Sequence, residues 1–578
     1  MDILLSYPQI QQLIIIKLLF FVLLVFGIIA IYKKMRPSIF LIVFGGLTAL
    51  GYAALVHGTQ LSFWGLKGDE ITIAAMYQGF AYKGMFSDFA YSYLPAFYPA
   101  LFFQIIAIFG RFMHLNGVQM AKVGTAVTFA FFPIMMYAVQ AWYWKDEKKK
   151  VAPVAWMLGV LLVFMLIPWA SNINKPYELV SGVGVILWSV FLARDIYYAR
   201  MNWKRVLVYG CSGGVLFLLF YFWFALAALG VAIFHLFNNK KTRLKDYALF
   251  AFVGSIVLAI GSIFLLPLIQ SYYLYGSENW QLGLFTIEGI ATSIPLFSLS
   301  LSGLVAFVGL LSLIIYRKVM YIRILLSLFV AGNLWQIMGM VMVLFFASPM
   351  QEAKGFLFFN TPILALAAAY ALAQWYLLLE KKKWKHITQK NVGLCALLLF
   401  VPTSIFGTFA DDENVLGIYE RSIHNKADIV ELLDFFGDTV TATPKMMVSG
   451  LPELHAFLTY DDVLYFNQHN SHPAAQFSET YYMLNSIAEE KNIDKAFDML
   501  YSYDKTKDID YFVLYAKEDA GYPLIFDLDD FPGTLRGDTI WFSKELFESS
   551  YFIEIYRSER YAIFTYANNV QNEENVVK

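Results

Sequence analysis

Residues 67–70 read Lys67-Gly68-Asp69-Glu70, a charged island in a sequence that otherwise avoids charge for about 400 residues. The chain has 578 residues, of which 59% are hydrophobic and 18% are aromatic. This composition excludes an ordinary soluble enzyme and indicates a polytopic membrane protein. Because adjacent carboxylates at the end of a membrane span are costly to retain, Asp69 and Glu70 are candidates for a functional site.

Ten apolar runs approach the length of about 20 residues that a membrane-spanning helix needs. The run from Val206 to Phe237 is longer and has basic clusters at both ends, which predicts a hairpin of two short helices. We therefore expect about twelve transmembrane helices. The ten single runs cover residues 13–32, 38–57, 119–143, 151–169, 178–193, 246–268, 295–316, 322–346, 355–379 and 391–409.

The basic residues of the membrane half gather in short loops, as is typical of cytoplasmic loops. If residues 67–70 lie outside and the lysines of 145–150 lie inside, an odd number of spans must separate them. Two apolar stretches lie between, however. We predict that residues 94–112, which open with Pro95 and Pro99, form an interfacial helix instead of a span. Both termini of the chain then lie outside.

The charge balance changes abruptly after Phe409. Residues 1–409 hold 30 Lys and Arg against 13 Asp and Glu, whereas residues 410–578 hold 13 against 31. We predict a transmembrane catalytic domain, 1–409, with a first external loop at 58–118, followed by an extracytoplasmic α+β domain at 410–578. Helical patterns at 429–436 and 479–500, and strand-like alternation at 511–515, 552–556 and 561–566, indicate this class.

Three further polar groups fall on the predicted outer side, where a cation can hold a phosphate and a carboxylate can bind a sugar hydroxyl. For the group around Asn174, the alternative is a capped turn in which Asn174 precedes Pro176 at a helix start. For the group around Lys354, the alternative is that this lysine extends its ammonium group to the membrane interface. The groups are Asp88 in the first loop, then Asn172, Asn174, Lys175 and Glu178, and then Glu352 with Lys354.

His469 and His472 lie in the tail segment Phe466 to Pro473. Two histidines at a spacing of three, without cysteines or paired carboxylates, fall short of a zinc motif, and a hydrogen-bonded loop is the alternative. No ligand motif indicates a metal, and a requirement for a divalent cation stays open. Cys211 and Cys395 lie in apolar runs and imply no disulfide framework.

The arrangement resembles the GT-C superfamily of polytopic membrane glycosyltransferases. The resemblance is carried by Gly68-Asp69-Glu70, by the Tyr-x-Pro type segment Ser92 to Pro99, and by Pro168-Trp169 leading to Tyr177-Glu178. Within the superfamily, the chain is similar to the arabinofuranosyltransferases that prime galactan. Its segment Tyr465 to Phe477 resembles the Asn-x-His-x-x-His-Pro segment of that family.

The resemblance implies an inverting glycosyltransferase that moves a sugar, a pentofuranose in the arabinofuranosyltransferase family, from a polyprenyl-phosphate donor to a cell-surface glycan. Asp69 would be the base, Glu70 would position acceptor or donor, and Lys354 or Lys175 would stabilise the leaving phosphate beside Glu352. The remaining expected substrate-binding residues are Asp88, Asn172, Asn174, Glu178, His469 and His472.

Two other functions remain open from the sequence. A lipid-linked sugar flippase or exporter would also need many spans, although such transporters usually contain inverted repeats, which we do not find here. A surface polysaccharide polymerase or ligase would add preassembled oligosaccharides. The expected partners are a polyprenyl-phosphate sugar, a glycan acceptor and the lipid bilayer, without nucleic acid. We expect the active site and the C-terminal domain on the extracytoplasmic side of the cytoplasmic membrane.

Overall fold

The structure is a computed structural model. It describes residues 7–57, 69–143, 152–167, 169–237, 244–278, 298–346, 356–381, 389–403, 429–437, 445–506, 508–516, 521–529 and 535–569, and all structural statements concern these. Gly68, Pro168, Glu352, Lys354 and the predicted domain boundary at 409/410 lie outside the described residues.

Helices dominate the first 403 residues, and strands occur in the last 134. The helices are α1 Tyr7–Tyr32, α2 Pro37–Val56, α3 Asp69–Tyr82, α4 Leu101–Phe112, α5 Gly117–Tyr143, α6 Ala152–Leu166, α7 Trp169–Asn172, α8 Pro176–Tyr197, α9 Trp203–Leu219, α10 Tyr221–Leu236, α11 Leu244–Tyr275, α12 Leu301–Ile315, α13 Met320–Phe346, α14 Thr361–Lys381, α15 Gln389–Thr403, α16 Val430–Phe436, α17 Phe477–Glu489, α18 Ile493–Ser502 and α19 Lys544–Phe547. The strands are β1 Lys445–Ser449, β2 Tyr460–Asp462, β3 Tyr511–Tyr515, β4 Tyr522–Asp529, β5 Leu535–Phe542, β6 Phe552–Arg557 and β7 Tyr561–Tyr566.

Seven helical stretches within the described residues are long and apolar enough to cross a membrane, which confirms a polytopic membrane protein. Four further apolar helices are shorter, among them Ala155–Leu166 and Leu301–Ile315. The expected total of about twelve spans stays a prediction.

The long apolar run from Val206 to Phe237 forms two short helices, as predicted. α9 has 17 residues and α10 has 16, and they are separated at Phe220, whose extended backbone (φ −167°, ψ 103°) interrupts the helix. The side chain of Asn202 caps α9 by accepting a hydrogen bond from the Arg205 N–H at 3.0 Å.

The segment predicted to be an interfacial helix is helical only from Leu101 to Phe112. Its 12 residues span about 18 Å at 1.5 Å per residue, which is shorter than the apolar core of a bilayer. One side buries Phe103 and Ile106, while Ile108 and Phe112 are exposed. The length supports a helix that does not span the membrane, and its place in the interface stays a prediction.

The chain divides into two compact units. The membrane unit comprises Met1–Gly65, Lys122–Ile263 and Ile287–Asn425, and the loop–tail unit comprises Leu66–Ala121, Phe264–Thr286 and Lys426–Lys578. The first external loop therefore shares a unit with the C-terminal tail.

Helix α8 lies deep inside the membrane unit, with buried side chains along most of its 22 residues. Small residues allow backbones to approach closely, as is common between membrane helices. A Cβ atom on Gly182 would lie 2.3 Å from the carbonyl oxygen of Phe358, in the π-helical turn Phe356–Asn360 that precedes α14. This turn therefore packs directly against the backbone of α8.

The tail of the loop–tail unit is an α+β structure, as predicted. Its five-stranded sheet has the order β2-β1-β3-β7-β6, in which β1 runs parallel to β2 and β3 and the other pairs are antiparallel. Strands β4 and β5 form a separate antiparallel pair. An aromatic core, including Phe512 and Phe564, packs beneath α17 and α18. The helix expected over 479–500 is two helices, because the chain is extended at Glu490 and Asn492 caps α18.

Candidate functional site

The acidic pair lies at the start of α3, in the loop–tail unit. Asp69 is exposed and Glu70 is half-buried, whereas every residue from Ile71 to Ala81 is buried. The amino end of a helix favours negative charge in its first turn, because the peptide dipoles point their positive ends there. The fold therefore presents the Asp69 carboxylate at the exposed end of an otherwise buried helix.

Helix α3 is held by polar contacts from the tail and from the start of α5. The Thr72 hydroxyl and the Tyr465 hydroxyl are 3.1 Å apart. The Gln78 amide donates to the Phe457 carbonyl at 2.9 Å and accepts from the Gly117 N–H at 3.0 Å. These bonds fix the helix that carries the acidic pair.

A buried ion pair joins Lys83, just after α3, to Asp461 in β2. The Lys83 side chain is 2% exposed, and its ammonium group also donates to the carbonyls of Phe89 at 3.0 Å and Tyr460 at 3.2 Å. Asp461 additionally accepts from the N–H of Ser92 at 2.7 Å and from the Ser92 hydroxyl at 2.5 Å. Both charges are therefore compensated inside the unit.

Asp88 is buried beside this pair. Its Oδ1 accepts hydrogen bonds from the N–H groups of Ala90 at 2.9 Å and Tyr91 at 3.2 Å, so the side chain shapes the turn. Burial raises the pKa of Asp88 to about 7, although the positive charge of Lys83 opposes the increase. These contacts give Asp88 a structural role, and its expected role in substrate binding stays a prediction.

Sequence reasoning missed a second buried pair, His455 with Asp462. His455 Nε2 lies 2.5 Å from Asp462 Oδ2, and both side chains are at most 4% exposed. The imidazole also stacks on Tyr460, with ring centroids 3.9 Å apart. Burial raises the pKa of Asp462, while His455 opposes the increase. Neither residue belongs to a recognisable motif, so no sequence signal could have found the pair.

The tail segment with the two histidines is tied to its surroundings by hydrogen bonds, like the loop that the sequence offered as an alternative. Tyr91 contacts the Ser471 hydroxyl at 3.0 Å and accepts from the Tyr465 N–H at 2.9 Å. Gln468 accepts from the Asp529 N–H at 2.8 Å. Within the described part of the chain, no three His, Cys, Asp or Glu side chains are arranged to hold a metal.

His472 is neutral in this environment, and its tautomer follows from its contacts. Its Nδ1 accepts from the Ala474 N–H at 3.0 Å, so the ring proton is on Nε2, which is buried beside the Pro95 carbonyl. Burial lowers the pKa of His472 to about 3. The rings of Phe97 and Tyr272 flank the imidazole at centroid distances of 5.5 and 6.2 Å. His469, three residues earlier in the sequence, is also buried.

A third segment, the end of α11 and the residues after it, also joins the tail. The Glu278 carboxylate accepts from the Ser478 N–H at 3.0 and 3.2 Å and from its hydroxyl at 3.0 Å. Because Ser478 lies in the first turn of α17, this is a carboxylate at a helix amino end. The Glu278 N–H donates to the Pro473 carbonyl at 2.9 Å, next to His472.

The second predicted polar group lies in the membrane unit. Asn172, Asn174 and Glu178 are buried at the start of α8. Lys175 occupies the N-cap position of α8, and its own side chain makes no capping hydrogen bond, so the capping role of Asn174 stays a prediction. The Lys175 N–H donates to the Asn172 carbonyl at 3.1 Å, which closes the turn before Pro176.

The structure thus groups the site candidates in two sets. Four residues lie between the end of α7 and the first turn of α8 in the membrane unit, and five belong to the loop–tail unit, whereas Glu352 and Lys354 lie outside the described residues. The first set is Asn172, Asn174, Lys175 and Glu178, and the second is Asp69, Glu70, Asp88, His469 and His472.

No family model and no curated protein sequence matches the chain. Solved structures do match it. ArnT from Cupriavidus metallidurans in the apo state has a TM-score of 0.52 at 11% identity, over 90% of this chain and 97% of that one. The same protein bound to undecaprenyl phosphate has a TM-score of 0.47 at 10% identity, over 91% and 97%. The arabinofuranosyltransferase AftD from mycobacteria has a TM-score of 0.47 at 11% identity, over 91% of this chain and 40% of that one.

The match to apo ArnT spans nearly the whole of both chains. The chain therefore shares the fold of ArnT, and it is a multi-pass membrane protein whose C-terminal part contains the sheet, which supports the predicted fold class. At 11% identity the likeness concerns the fold.

Proposed function

We propose that the protein is an inverting GT-C glycosyltransferase that moves a sugar from a polyprenyl-phosphate donor to an extracytoplasmic glycan. The observation that carries this proposal is the GT-C fold over 90% of the chain, with an exposed Asp69 at the head of a buried helix. ArnT has also been solved bound to undecaprenyl phosphate, and we carry that class of lipid to this chain.

In the proposed reaction, an acceptor hydroxyl attacks the anomeric carbon of the donor sugar while Asp69 takes the hydroxyl proton. The bond between that carbon and the phosphate oxygen breaks, and the polyprenyl phosphate leaves with the electron pair. A phosphate leaves already ionised, so no strong general acid is needed. Glu70, half-buried beside Asp69, is suited to bind another hydroxyl of acceptor or donor.

Stabilisation of the leaving phosphate is proposed for Lys175 and Lys354, and a part in donor binding is proposed for Glu352. Lys175 precedes the first turn of α8, and a helix amino end with a nearby cation favours an anion. Glu178 in that same first turn is acidic, so its proposed partner is a sugar hydroxyl.

The test uses purified protein in liposomes with a panel of polyprenyl-phosphate sugars that includes a pentofuranosyl donor. We expect donor consumption and transfer, and Asp69→Asn is expected to reduce the rate by about 10²- to 10⁴-fold, the usual contribution of a general base. Asp434→Asn, which changes an exposed carboxylate on α16, is the matched control and should leave the rate unchanged.

Two outcomes would contradict the proposal. If no donor is consumed by the unmodified protein, the assignment as a glycosyltransferase is wrong and transport of lipid-linked sugars becomes the better reading. If Asp69→Asn retains a rate near that of the unmodified protein, the base is misassigned. Masses of the products distinguish addition of single sugars from addition of preassembled oligosaccharides by a polymerase or ligase.

A further inference from the structure

Two large aromatic side chains of the loop–tail unit meet on its surface. Tyr93 is 44% exposed and Tyr275 is 41% exposed, and their ring centroids lie 5.8 Å apart at an interplanar angle of 76°. Tyr93 belongs to the first loop between α3 and α4, whereas Tyr275 is the last residue of α11. The fold thus places two partly exposed rings from distant parts of the sequence against each other.

The chain at both tyrosines is tied to the tail by hydrogen bonds. Ser92, the neighbour of Tyr93, donates its N–H at 2.7 Å and its hydroxyl at 2.5 Å to Asp461. The carbonyl of Tyr275 accepts from the Gln476 side chain at 3.3 Å. A surface whose backbone is already held in place loses less conformational entropy when a ligand binds.

Buried carboxyl groups lie near Tyr93. Burial raises the pKa of the Tyr93 phenol, and the neighbouring Asp88 adds to the increase. The nearby ammonium group of Lys83 is committed to its ion pair with Asp461. Such a surface offers ring faces and hydroxyl groups, and Lys83 supplies no free positive charge to an anion.

We propose that Tyr93 and Tyr275 form the binding platform for the acceptor, and that the acceptor is an uncharged glycan where it binds. This inference rests on the proposed glycosyltransferase function. Tyrosine gives a large, rigid contact surface that is apolar over the ring and polar at the hydroxyl, which suits the mixed faces of a sugar. Asp461, with its side chain 12% exposed, can accept hydrogen bonds from sugar hydroxyls.

The competing role for exposed tyrosines in a membrane protein is an aromatic belt at the interface. The chain supplies a matched control for it, because Tyr273 also lies at the end of α11 and is 88% exposed. An interfacial anchoring role would apply to Tyr273 at least as much as to Tyr275. A glycan platform would involve Tyr275 with Tyr93 and leave Tyr273 out.

The experiment measures binding of soluble arabinan, galactan and mannan oligosaccharides to the full chain in nanodiscs, with polygalacturonate as the anionic comparison. At least one neutral glycan should bind and polygalacturonate should not. We expect Tyr93→Ala and Tyr275→Ala to weaken binding about three- to tenfold each, the usual scale of an aromatic contact. Tyr93→Phe and Tyr275→Phe keep the ring and should retain most of the binding, and Tyr273→Ala should change nothing.

The platform is refuted if no neutral glycan binds, if polygalacturonate binds equally well, or if Tyr273→Ala weakens binding as much as Tyr275→Ala. Resistance of the tail to trypsin identifies a variant that fails to fold, in which case the phenylalanine variants decide. The donor assay is run in parallel. Glycan binding without any donor consumption would contradict the proposed function alone, whereas transfer whose dependence on acceptor concentration is unaffected by Tyr93→Ala would contradict the platform alone.

Discussion

Replacement of Asp88 by asparagine should stabilise the loop–tail unit at pH 8. The buried carboxyl has a pKa of about 7 in the folded chain against an ordinary value of 3.8, so the folded state holds a proton that the unfolded chain releases between these values. Since a pKa difference of one corresponds to about 1.4 kcal/mol, ionising Asp88 costs the folded state up to about 4 kcal/mol. Because folding raises the pKa of Asp88, the free energy of unfolding falls as the pH rises from about 4 to about 7, and the full loss persists at higher pH.

Asparagine removes the ionisation but keeps the oxygen that accepts from the N–H groups of Ala90 and Tyr91. We therefore expect Asp88→Asn to match the unmodified protein near pH 4 and to exceed its free energy of unfolding by up to about 4 kcal/mol at pH 8. Pulse proteolysis of the tail across a urea series, at pH 4, 6 and 8 in detergent micelles, measures this. A variant that is no more stable at pH 8, with an unchanged dependence on pH, would refute the reasoning.

Two further substitutions test the packing. Lys83→Met leaves Asp461 buried without its cation and should destabilise the loop–tail unit by about 3–5 kcal/mol. Adding Asp461→Asn to that variant should recover part of the loss in the same proteolysis assay. Equal stability of the single and double variants would contradict the ion pair. Gly309→Ala would place a Cβ 2.3 Å from the Leu364 carbonyl oxygen. This overpacking should lower the free energy of unfolding of the membrane unit by about 1–3 kcal/mol, which a lower melting temperature would report. Gly46→Ala is the control, because its Cβ meets no heavy atom within 4 Å.

The spans and the acidic pair were predictable because their signals are local. A run of about 20 apolar residues is enough to predict a membrane-spanning helix. The adjacent charges of Asp69 and Glu70 stand out against such apolar sequence within a few residues. The break at Phe220 followed from charge, because a single crossing would have put a basic cluster on the wrong side. The split between α17 and α18 was missed, although Asn492 is an ordinary helix-capping residue that could have indicated it.

The environment of the acidic pair was not predictable, because it depends on contacts between distant segments. Helix α3 is buried on all sides from Ile71 to Ala81, so its sequence has no amphipathic period to show what covers it. Lys83 and Asp461 are 378 residues apart, and nothing in either local sequence indicates the other. Single charges in outer loops are common, so Glu278 could not be distinguished from a solvated residue before its contacts with Ser478 were known.

Deletion of the tail is a poor test of its role, because the first loop depends on the tail for its own structure. Without β2 and its flanking residues, the Lys83 ammonium group loses its carboxylate and Gln78 loses its carbonyl partner, both inside the unit. Uncompensated buried polar groups cost several kcal/mol together. We therefore expect a chain truncated before Val430 to lose transfer to small and polymeric acceptors alike and to expose α3 to protease. Retained transfer to a small acceptor by that truncated chain would show that Asp69 keeps its catalytic position without the tail.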